Sequence, residues 1–275
     1  MNKDSQLNVY NIKEMLAQPP QAFDFVRFDP NNDCNLHCIY CHNHRSKDVV
    51  DTAEFREFLK HNIVSVENFQ LGCIMEPTLD SRLCELMLMI AQSRGKPRTM
   101  FFLQTNGMLL HRHDMGKMRQ AGLTHLYLSI DSADPATLRL LRVGTSMSKV
   151  YSNVLAFQKA CPSARIIFIT TVTSLNIDGM VALVDLGLDL NVEKFILREV
   201  FYNLESDVVD HSKMPGLLLK ANGFFRMKDE LITRFGNRTN FVFADAPALD
   251  GALNKMKADS GAVIDKKYTL KYHMN

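Results

Sequence analysis

Strand-like and helix-like segments alternate along most of the chain, and this alternation limits the possible folds more than any other feature. The predicted strands are apolar or alternate apolar with polar residues; they are Phe23–Asp29, Asn68–Gly72, Met100–Gln104, Leu126–Ile130, Arg165–Val172 and Lys194–Val200. The predicted helices between them are Thr52–Lys60, Ser81–Arg94, Leu109–Ala121, Lys149–Ala160 and Ile177–Gly187. Because strands joined in this way pair in parallel through right-handed crossovers, the sequence predicts an α/β fold, either a barrel or a doubly wound sheet.

Residues 206–275 are less regular than the part of the chain before them. Phe224–Phe235 has a helical pattern, whereas Asn240–Ala244 and Tyr268–Tyr272 resemble strands. No repeat, low-complexity tract or Pro/Gly/Ser linker marks a domain boundary. The predicted division is an N-terminal segment at 1–22, a core at 23–205 and an extension at 206–275 that caps the same core.

Charge and hydropathy exclude several classes of protein. The net charge is only +2, from 32 basic and 30 acidic residues, which argues against binding nucleic acid through a general basic field. The longest apolar stretch, around Leu86–Ala91, is too short to span a bilayer. The first ten residues contain no apolar signal core. We therefore expect a cytoplasmic protein with neither a nucleic-acid nor a membrane partner.

A cluster of cysteines is the most informative chemical feature. Cys34, Cys38 and Cys41 fall within eight residues, and clustered cysteines in a reducing compartment usually bind a metal. An iron–sulfur cubane takes four cysteines, so three leave one iron open for a ligand. Structural zinc is the alternative. Its fourth ligand would come from His37, His42 or His44.

Polar residues collect where the predicted strands end. If the fold is a barrel, these carboxyl ends form the functional face. The residues at this face are Glu76 and Pro77, Thr105, Asn106 and Gly107, Ser129, Asp131, Asn176 and Arg198.

The cysteine spacing and two further motifs resemble the radical S-adenosylmethionine (radical SAM) enzymes. The family signature CxxxCxxC, with an aromatic residue before its last cysteine, is matched by Cys34, Cys38, Tyr40 and Cys41. The resemblance continues through the "TNG" at 105–107 and the "LSID" at 128–131, and it covers about residues 23–200. The stretch 134–144 is similar to the branch that holds molybdenum-cofactor enzymes and peptide maturases. This resemblance implies a partial parallel (βα)6 TIM-like barrel with a short C-terminal extension.

The resemblance also implies the cofactors. One 4Fe–4S cluster would be held by the three loop cysteines, and its open iron would bind S-adenosylmethionine. Reductive cleavage would then give a 5′-deoxyadenosyl radical that takes hydrogen from an organic substrate. An electron donor such as flavodoxin or ferredoxin is expected as a partner.

Six residues match family positions that contact S-adenosylmethionine. The resemblance places Tyr40 near the adenine, Glu76 at the methionyl ammonium, Ser129 and Asp131 at the ribose or the carboxylate, Asn176 near the ribose and Arg198 at the carboxylate. Strand-end caps or ion pairs explain several of the same residues without a ligand. The family motif "GGEP" is only partly present, because Ile74 and Met75 stand where glycines are usual.

The three remaining cysteines are Cys73, Cys84 and Cys161. We interpret them as buried, inert thiols. For Cys73, which follows the second predicted strand, a second hypothesis is a hydrogen-atom donor in an epimerase.

Missing features favour one substrate class. Residues 201–275 contain no cysteine, so the auxiliary-cluster domain typical of peptide maturases is not expected, and a sugar- or nucleotide-type small molecule is favoured over a peptide. The alternatives are a peptide-modifying enzyme, a glycyl-radical activating enzyme, as Cys41-His42-Asn43 suggests, and a non-catalytic iron–sulfur or zinc module.

Overall fold

A computed structural model describes residues 12–20, 23–62, 66–93, 100–203, 206–220, 222–244 and 268–269. Within these ranges the strands are β1 (Phe23–Phe28), β2 (His37–Cys38), β3 (Val66–Leu71), β4 (Met100–Thr105), β5 (His125–Ser129), β6 (Arg142–Val143), β7 (Arg165–Val172), β8 (Lys194–Glu199), β9 (Asn240–Ala244) and β10 (Tyr268–Thr269). The α-helices are α1 (Ile12–Leu16), α2 (Thr52–Asn62), α3 (Leu83–Gln92), α4 (Met115–Gln120), α5 (Pro135–Leu141), α6 (Met147–Ala160), α7 (Met180–Asp189) and α8 (Gly223–Phe235).

The long strands form one parallel sheet. Its order is β10-β1-β3-β4-β5-β7-β8-β9, and all of its pairings are parallel. The predicted parallel barrel-type α/β fold is thus confirmed, and the strand-like segment Asn240–Ala244 forms β9, which adds a seventh strand beside β8. β10 pairs with the opposite edge, beside β1; the rest of the strand predicted at Tyr268–Tyr272 lies outside the described residues.

The two faces of the sheet differ in character. Along β5, Leu126 and Leu128 are fully buried, whereas Tyr127 and Ser129 are only partly buried. Leu128 belongs to the same main core as Val154 and Phe157 of α6, so this face carries the helices. The alternate residues face the concave side of the sheet and line the interior of the barrel.

Two predicted helices are each divided in the structure. The helix predicted at Leu109–Ala121 consists of a 3-10 turn at Leu110–Arg112 followed by α4. The break has a local cause, because the Asp114 side chain accepts a hydrogen bond from the Lys117 backbone N–H and so starts a new helix. The prediction of one continuous helix at Ile177–Gly187 is wrong in the same way, since a 3-10 turn at Ile177–Gly179 precedes α7.

Two helices, α1 and α5, and one small ribbon were not predicted. α5 begins with Asp134 as its N-cap and Pro135 in its first turn, a favourable helix start. β6 follows immediately and pairs in antiparallel fashion with β2, so that Arg142 lies opposite Cys38. This ribbon attaches the cysteine loop to the segment that follows β5.

Among the described residues, no helix has the length and apolar character that crossing a membrane requires.

Candidate functional site

The cysteine loop lies beyond the end of β1, on the functional face of the sheet. Cys34, Cys38 and Cys41 are half-buried free thiols. Within the loop, the Cys41 N–H donates to the Cys38 carbonyl at 3.0 Å, and the Ile39 N–H donates to the Leu141 carbonyl at 3.0 Å. The backbone of the loop is therefore fixed both by its own turn and by α5.

Each of the three sulfur atoms has a nitrogen donor nearby. The Leu36 backbone N–H points at Cys34 Sγ from 3.5 Å, and Asn43 Nδ2 lies 3.8 Å from Cys41 Sγ. Arg142 Nη1 lies 4.0 Å from Cys38 Sγ. Donors of this kind favour the negatively charged sulfur that a metal-bound cysteine carries.

The free thiols themselves are poor anions in this environment. Burial is the main cause that raises the pKa of Cys38, to about 11, and the neighbouring Asp131 and thiols add to the shift against the opposing charge of Arg142. Burial also raises the pKa of Cys34, with a further contribution from Glu76. Both thiolates therefore need a compensating cation, which a bound metal would provide.

Asp131 is the centre of a buried ion-pair network beside the loop. Its carboxylate has no exposed surface. It accepts from Arg142 Nε at 2.7 Å and Nη2 at 3.1 Å, from the Thr171 backbone N–H at 2.9 Å and from the Tyr40 hydroxyl. The guanidinium of Arg142 also lies 5.9 Å from the centre of the Tyr40 ring. The carboxylate thus holds the aromatic residue of the cysteine motif and the arginine that approaches Cys38.

Asn176 connects the ends of β5 and β7. Its side-chain Nδ2 donates to the carbonyls of Asp131 at 2.7 Å and Thr171 at 2.9 Å, and its Oδ1 accepts from the Thr173 N–H at 2.7 Å. The residue is only 2% exposed. Its amide is therefore engaged with the backbone on both sides.

Glu76 is likewise held by protein donors. Its carboxylate accepts from the hydroxyls of Thr78 and Thr105, each at 2.5 Å, and from the Asn106 backbone N–H at 2.7 Å. It is 2% exposed, and burial raises its pKa against the opposing effect of these hydrogen bonds. Glu76 thereby ties the turn after β3 to the end of β4.

The turn before Glu76 tolerates Ile74 and Met75 for a visible reason. In this turn only Gly72 has a positive φ, of 77°, and a Cβ there would lie 2.3 Å from the Gln104 carbonyl oxygen. The backbone N–H groups of Cys73, Ile74 and Met75 donate to the Asp29 carboxylate at 2.8 to 3.3 Å. The turn is thus built on one glycine and one aspartate, and its other residues keep ordinary backbone angles.

Two arginines lie on the inner face of the barrel. Arg27 alternates with the buried Val26 and Phe28 on β1, and Arg198 lies near the end of β8. Arg198 is exposed to solvent on one side. The protein atoms on its other sides, together with the charge of Arg27, lower the pKa of its guanidinium. The barrel interior therefore carries local positive charge.

Three further side chains belong to this interior. Gln70 Nε2 donates to Gln104 Oε1 at 2.9 Å, and Gln104 Nε2 donates to the Cys73 carbonyl at 3.3 Å. Cys73 is half-buried and close enough to Arg198 to influence its pKa. Its role as a hydrogen-atom donor stays a prediction.

The other two cysteines are buried and donate to backbone carbonyls. Cys84 Sγ lies 3.5 Å from the Asp114 oxygen, and Cys161 Sγ lies 3.2 Å from the Met115 oxygen. Both are thus packed as thiols in the core, away from the loop.

The loop cysteines suit a cluster that takes one thiolate per iron. Among the described residues, no three His, Cys, Asp or Glu side chains stand at the spacing of a single-ion site. A cubane does not require that spacing, because each thiolate binds a different iron atom.

Sequence reasoning missed Arg142 and Arg27. Arg142 falls inside the family-like stretch 134–144, but nothing in the sequence distinguishes it from the exposed Arg139 three residues earlier. The sequence does contain a signal for Arg27. Because residues alternate between the two faces along β1, Arg27 lies on the face opposite to that of its buried apolar neighbours. Asn106, whose Nδ2 lies 3.9 Å from Cys34 Sγ, was already part of the "TNG" motif.

A family model described as "Radical SAM superfamily" matches residues 29–187. The curated relatives include a probable GTP 3′,8-cyclase of Methanococcus maripaludis, 23% identical over 203 residues that cover 72% of this chain and 58% of the relative. A GTP 3′,8-cyclase of Alkaliphilus oremlandii is 26% identical over 141 residues, 49% of this chain and 43% of the relative. The chain thus spans about half the length of these curated relatives, 58% of one and 43% of the other.

Solved structures with the same fold include two that contain bound S-adenosylmethionine. SuiB of Streptococcus suis bound to S-adenosylmethionine superposes with a TM-score of 0.64 at 15% identity, covering 86% of this chain and 54% of SuiB. The protein anSMEcpe, bound to the same molecule and to a peptide, has a TM-score of 0.59 at 21% identity, covering 81% of this chain and 63% of that chain. At such identities the likeness is one of fold.

Proposed function

Because the chain belongs to the radical SAM superfamily, we propose that it uses one 4Fe–4S cluster and S-adenosylmethionine to take a hydrogen atom from an organic substrate. Membership makes the chain an enzyme, and it implies S-adenosylmethionine and an iron–sulfur cluster as cofactors. The finer assignment gives the cluster to Cys34, Cys38 and Cys41. The main support for this assignment is that a nitrogen donor lies beside each of the three sulfur atoms.

When bound, the reduced cluster supplies the electron that splits S-adenosylmethionine into methionine and the 5′-deoxyadenosyl radical. The contribution of the protein is to place the reactants and to exclude water. Arg142 and Asp131 hold Tyr40 and the loop, and the buried Glu76 holds the turn after β3. These contacts fix the cysteines before any cofactor arrives, which favours pre-organised binding.

We assign the S-adenosylmethionine contacts to two groups of residues. Ser129 and Arg198, which reach the barrel interior, would meet the molecule directly, and the fork of guanidinium donors suits a carboxylate. The side chains of Glu76, Asp131 and Asn176 already carry protein hydrogen bonds. Their proposed role is therefore to position the backbone that borders the molecule. The ring of Tyr40 would pack near the adenine.

For the substrate we propose an anionic small molecule of the sugar or nucleotide type. Its support is the positive charge of Arg27 on the inner face, together with the amides of Gln70 and Gln104, which suit oxygen-rich ligands. The relatives carry the name of an enzyme that acts on GTP, which is consistent with this class.

Peptide modification is the second candidate. It is favoured by the fold neighbours solved with peptides, SuiB with its precursor peptide SuiA and anSMEcpe with a bound peptide. The release of 5′-deoxyadenosine distinguishes the two candidates. Added nucleotides should increase it if the substrate is a small molecule, and added short peptides should increase it if the substrate is a peptide.

Anaerobic reconstitution with iron and sulfide tests the cofactor assignment. We expect about four irons per chain and release of 5′-deoxyadenosine with dithionite. Cys38→Ala should lose the cluster and the release, whereas the control Cys161→Ala, which removes a thiol bonded to the core backbone, should keep both. Retained release in Cys38→Ala, or one bound zinc and no nucleoside in the unaltered chain, would refute the assignment and favour a non-catalytic module.

A further inference from the structure

An apolar groove of about 700 Å³ opens beside the cysteine loop. Ile39 of the loop lies along it, with Leu140 of α5 and Val143 of β6 on one side. Leu175, after β7, and Leu217, in the 3-10 turn at 214–217, also line it. The groove thus lies where three separate segments meet around the loop.

Three of the apolar side chains that line the groove are exposed. Leu140 is 55% exposed, Leu175 46% and Val143 44%. Scattered apolar residues on a surface need no explanation, but neighbours that share one concavity mark an interaction site.

The residues that line the groove are joined to the residues on both sides of Cys38. Ile39 directly follows Cys38, and its N–H donates to the carbonyl of Leu141, the neighbour of Leu140. Val143 pairs with His37, on the other side of Cys38. A molecule seated in the groove would therefore lie against the loop itself.

The two charged residues that line the groove are both basic. Arg139 and Lys213 contribute to its lining, and the described lining residues include no carboxylate. Lys213 pairs with Asp210 at 2.7 Å but keeps 67% of its side chain exposed. Because the whole chain carries a net charge of only +2, this basic rim is a local feature.

We propose that the groove is the docking surface for a small acidic electron-carrier protein, one that holds a reduced flavin or an iron–sulfur centre. The carrier would give up one electron, and a cluster held by Cys34, Cys38 and Cys41 would accept it for the cleavage of S-adenosylmethionine. This inference rests on the proposed function. Redox encounters are typically weak and small, with less than about 1,200 Å² buried in total, so a short apolar groove with a basic rim is sufficient.

The test compares two ways of delivering the electron. Release of 5′-deoxyadenosine is measured with photoreduced flavodoxin and, separately, with dithionite, which needs no docking surface. Leu140→Glu and Arg139→Glu each place negative charge in the groove. With flavodoxin we expect a loss of about tenfold or more in kcat/KM, and calorimetry should show weaker binding of flavodoxin to the cluster-free variants than to the cluster-free unaltered chain. With dithionite we expect rates like those of the unaltered chain.

Matched controls lie on α6, outside the groove lining. Leu155→Glu replaces a leucine of similar exposure, 46%, and Lys159→Glu reverses an exposed charge. Both should keep the flavodoxin-driven rate. That rate should also fall as salt is added, and the fall should be smaller in Arg139→Glu because exposed charges are screened.

The outcomes separate the two proposals. No release with either reductant in the unaltered chain means that the proposed function is wrong. Flavodoxin-driven rates in Leu140→Glu and Arg139→Glu equal to those of the controls mean that the groove is not the docking surface. Loss of a dimer in these variants with unchanged flavodoxin rates would assign the groove to a second copy of this chain. If dithionite-driven release also falls in the two glutamate variants, the milder variants Leu140→Ser and Arg139→Gln replace them. Their flavodoxin-driven and dithionite-driven rates are then compared in the same way.

Discussion

At the scale of single residues, the buried pair of Asp131 and Arg142 does most to shape the site. Both residues are buried, with Asp131 fully so and Arg142 only 9% exposed. The removal of one partner leaves the other as an uncompensated buried charge. That situation usually costs far more than the intact pair contributes.

We therefore expect Asp131→Asn to lower the free energy of unfolding by about 3–5 kcal/mol. The amide keeps the size of the carboxylate but cannot balance the guanidinium. Urea unfolding of the cluster-free protein measures the change. Asp134→Asn is the matched control, because Asp134 is an exposed N-cap of α5 and asparagine caps a helix equally well. Equal, small effects from the two substitutions would contradict the role given to the pair.

The sequence predicted which residues belong to the site, but it did not predict their hydrogen-bond partners. Strand ends and motif spacing located Asp131, Glu76 and Asn176 in the sequence, and the structure brings all three to the functional face. Their hydrogen-bond partners, such as Arg142 and Thr105, depend on how separate loops pack together. No local pattern contains that information. The sequence therefore does not distinguish a residue that contacts a ligand from one that supports the structure of the site.

At the scale of elements, periodicity located the long strands well and the short connections poorly. α5 is only seven residues long, and β2 and β6 have two residues each, too few for a period to be recognised. The helix start at Asp134-Pro135 was nevertheless a usable signal. The ribbon between β2 and β6 has no sequence signal, because it joins residues more than a hundred positions apart.

The ribbon depends on Gly144, which leads to a prediction at this scale. Gly144 has a φ of 99°, and a Cβ there would lie 3.3 Å from Leu36 Cδ2 in the cysteine loop. Gly144→Ala should therefore cost about 1–3 kcal/mol of stability. It should also speed the alkylation of Cys38 in the cluster-free chain, since β6 pairs with that residue.

Gly179→Ala is the control for this substitution. Gly179 has a φ of −93°, and a Cβ there meets nothing within 4 Å. The change should be neutral or stabilise by up to about 1 kcal/mol. If both variants unfold at the same urea concentration, and Cys38 reacts at the same rate in each, the ribbon does not depend on the backbone angle of Gly144.

At the scale of the whole molecule, the described residues contain two hydrophobic cores. The main core joins the helices to the sheet. The second consists of Leu141, Val200, Val209, Met214 and Leu217, with Ile39 and Tyr40 packed against it. It holds the segment after β8 against the cysteine loop. Sequence analysis missed this core because residues 206–218 show no regular period.

Met214→Ala should open the second core without opening the sheet. Met214 has no exposed surface, and such truncations cost about 2–5 kcal/mol. The Ser174 N–H, which donates to the Leu217 carbonyl, should then exchange with solvent faster by about tenfold for each 1.4 kcal/mol lost. The Ile130 N–H, bonded to Ile169 between β5 and β7, should keep its protection.

Met118→Ala is the corresponding change in the main core, where Met118 is also fully buried. It should lower the free energy of global unfolding and so reduce the protection of the Ile130 amide. If Met214→Ala instead accelerates exchange at Ile130 and Ser174 alike, the two cores unfold as one cooperative unit. The segment at 206–218 would then unfold together with the barrel. The part of this segment that lines the groove beside the cysteine loop would have the same free energy of unfolding as the sheet.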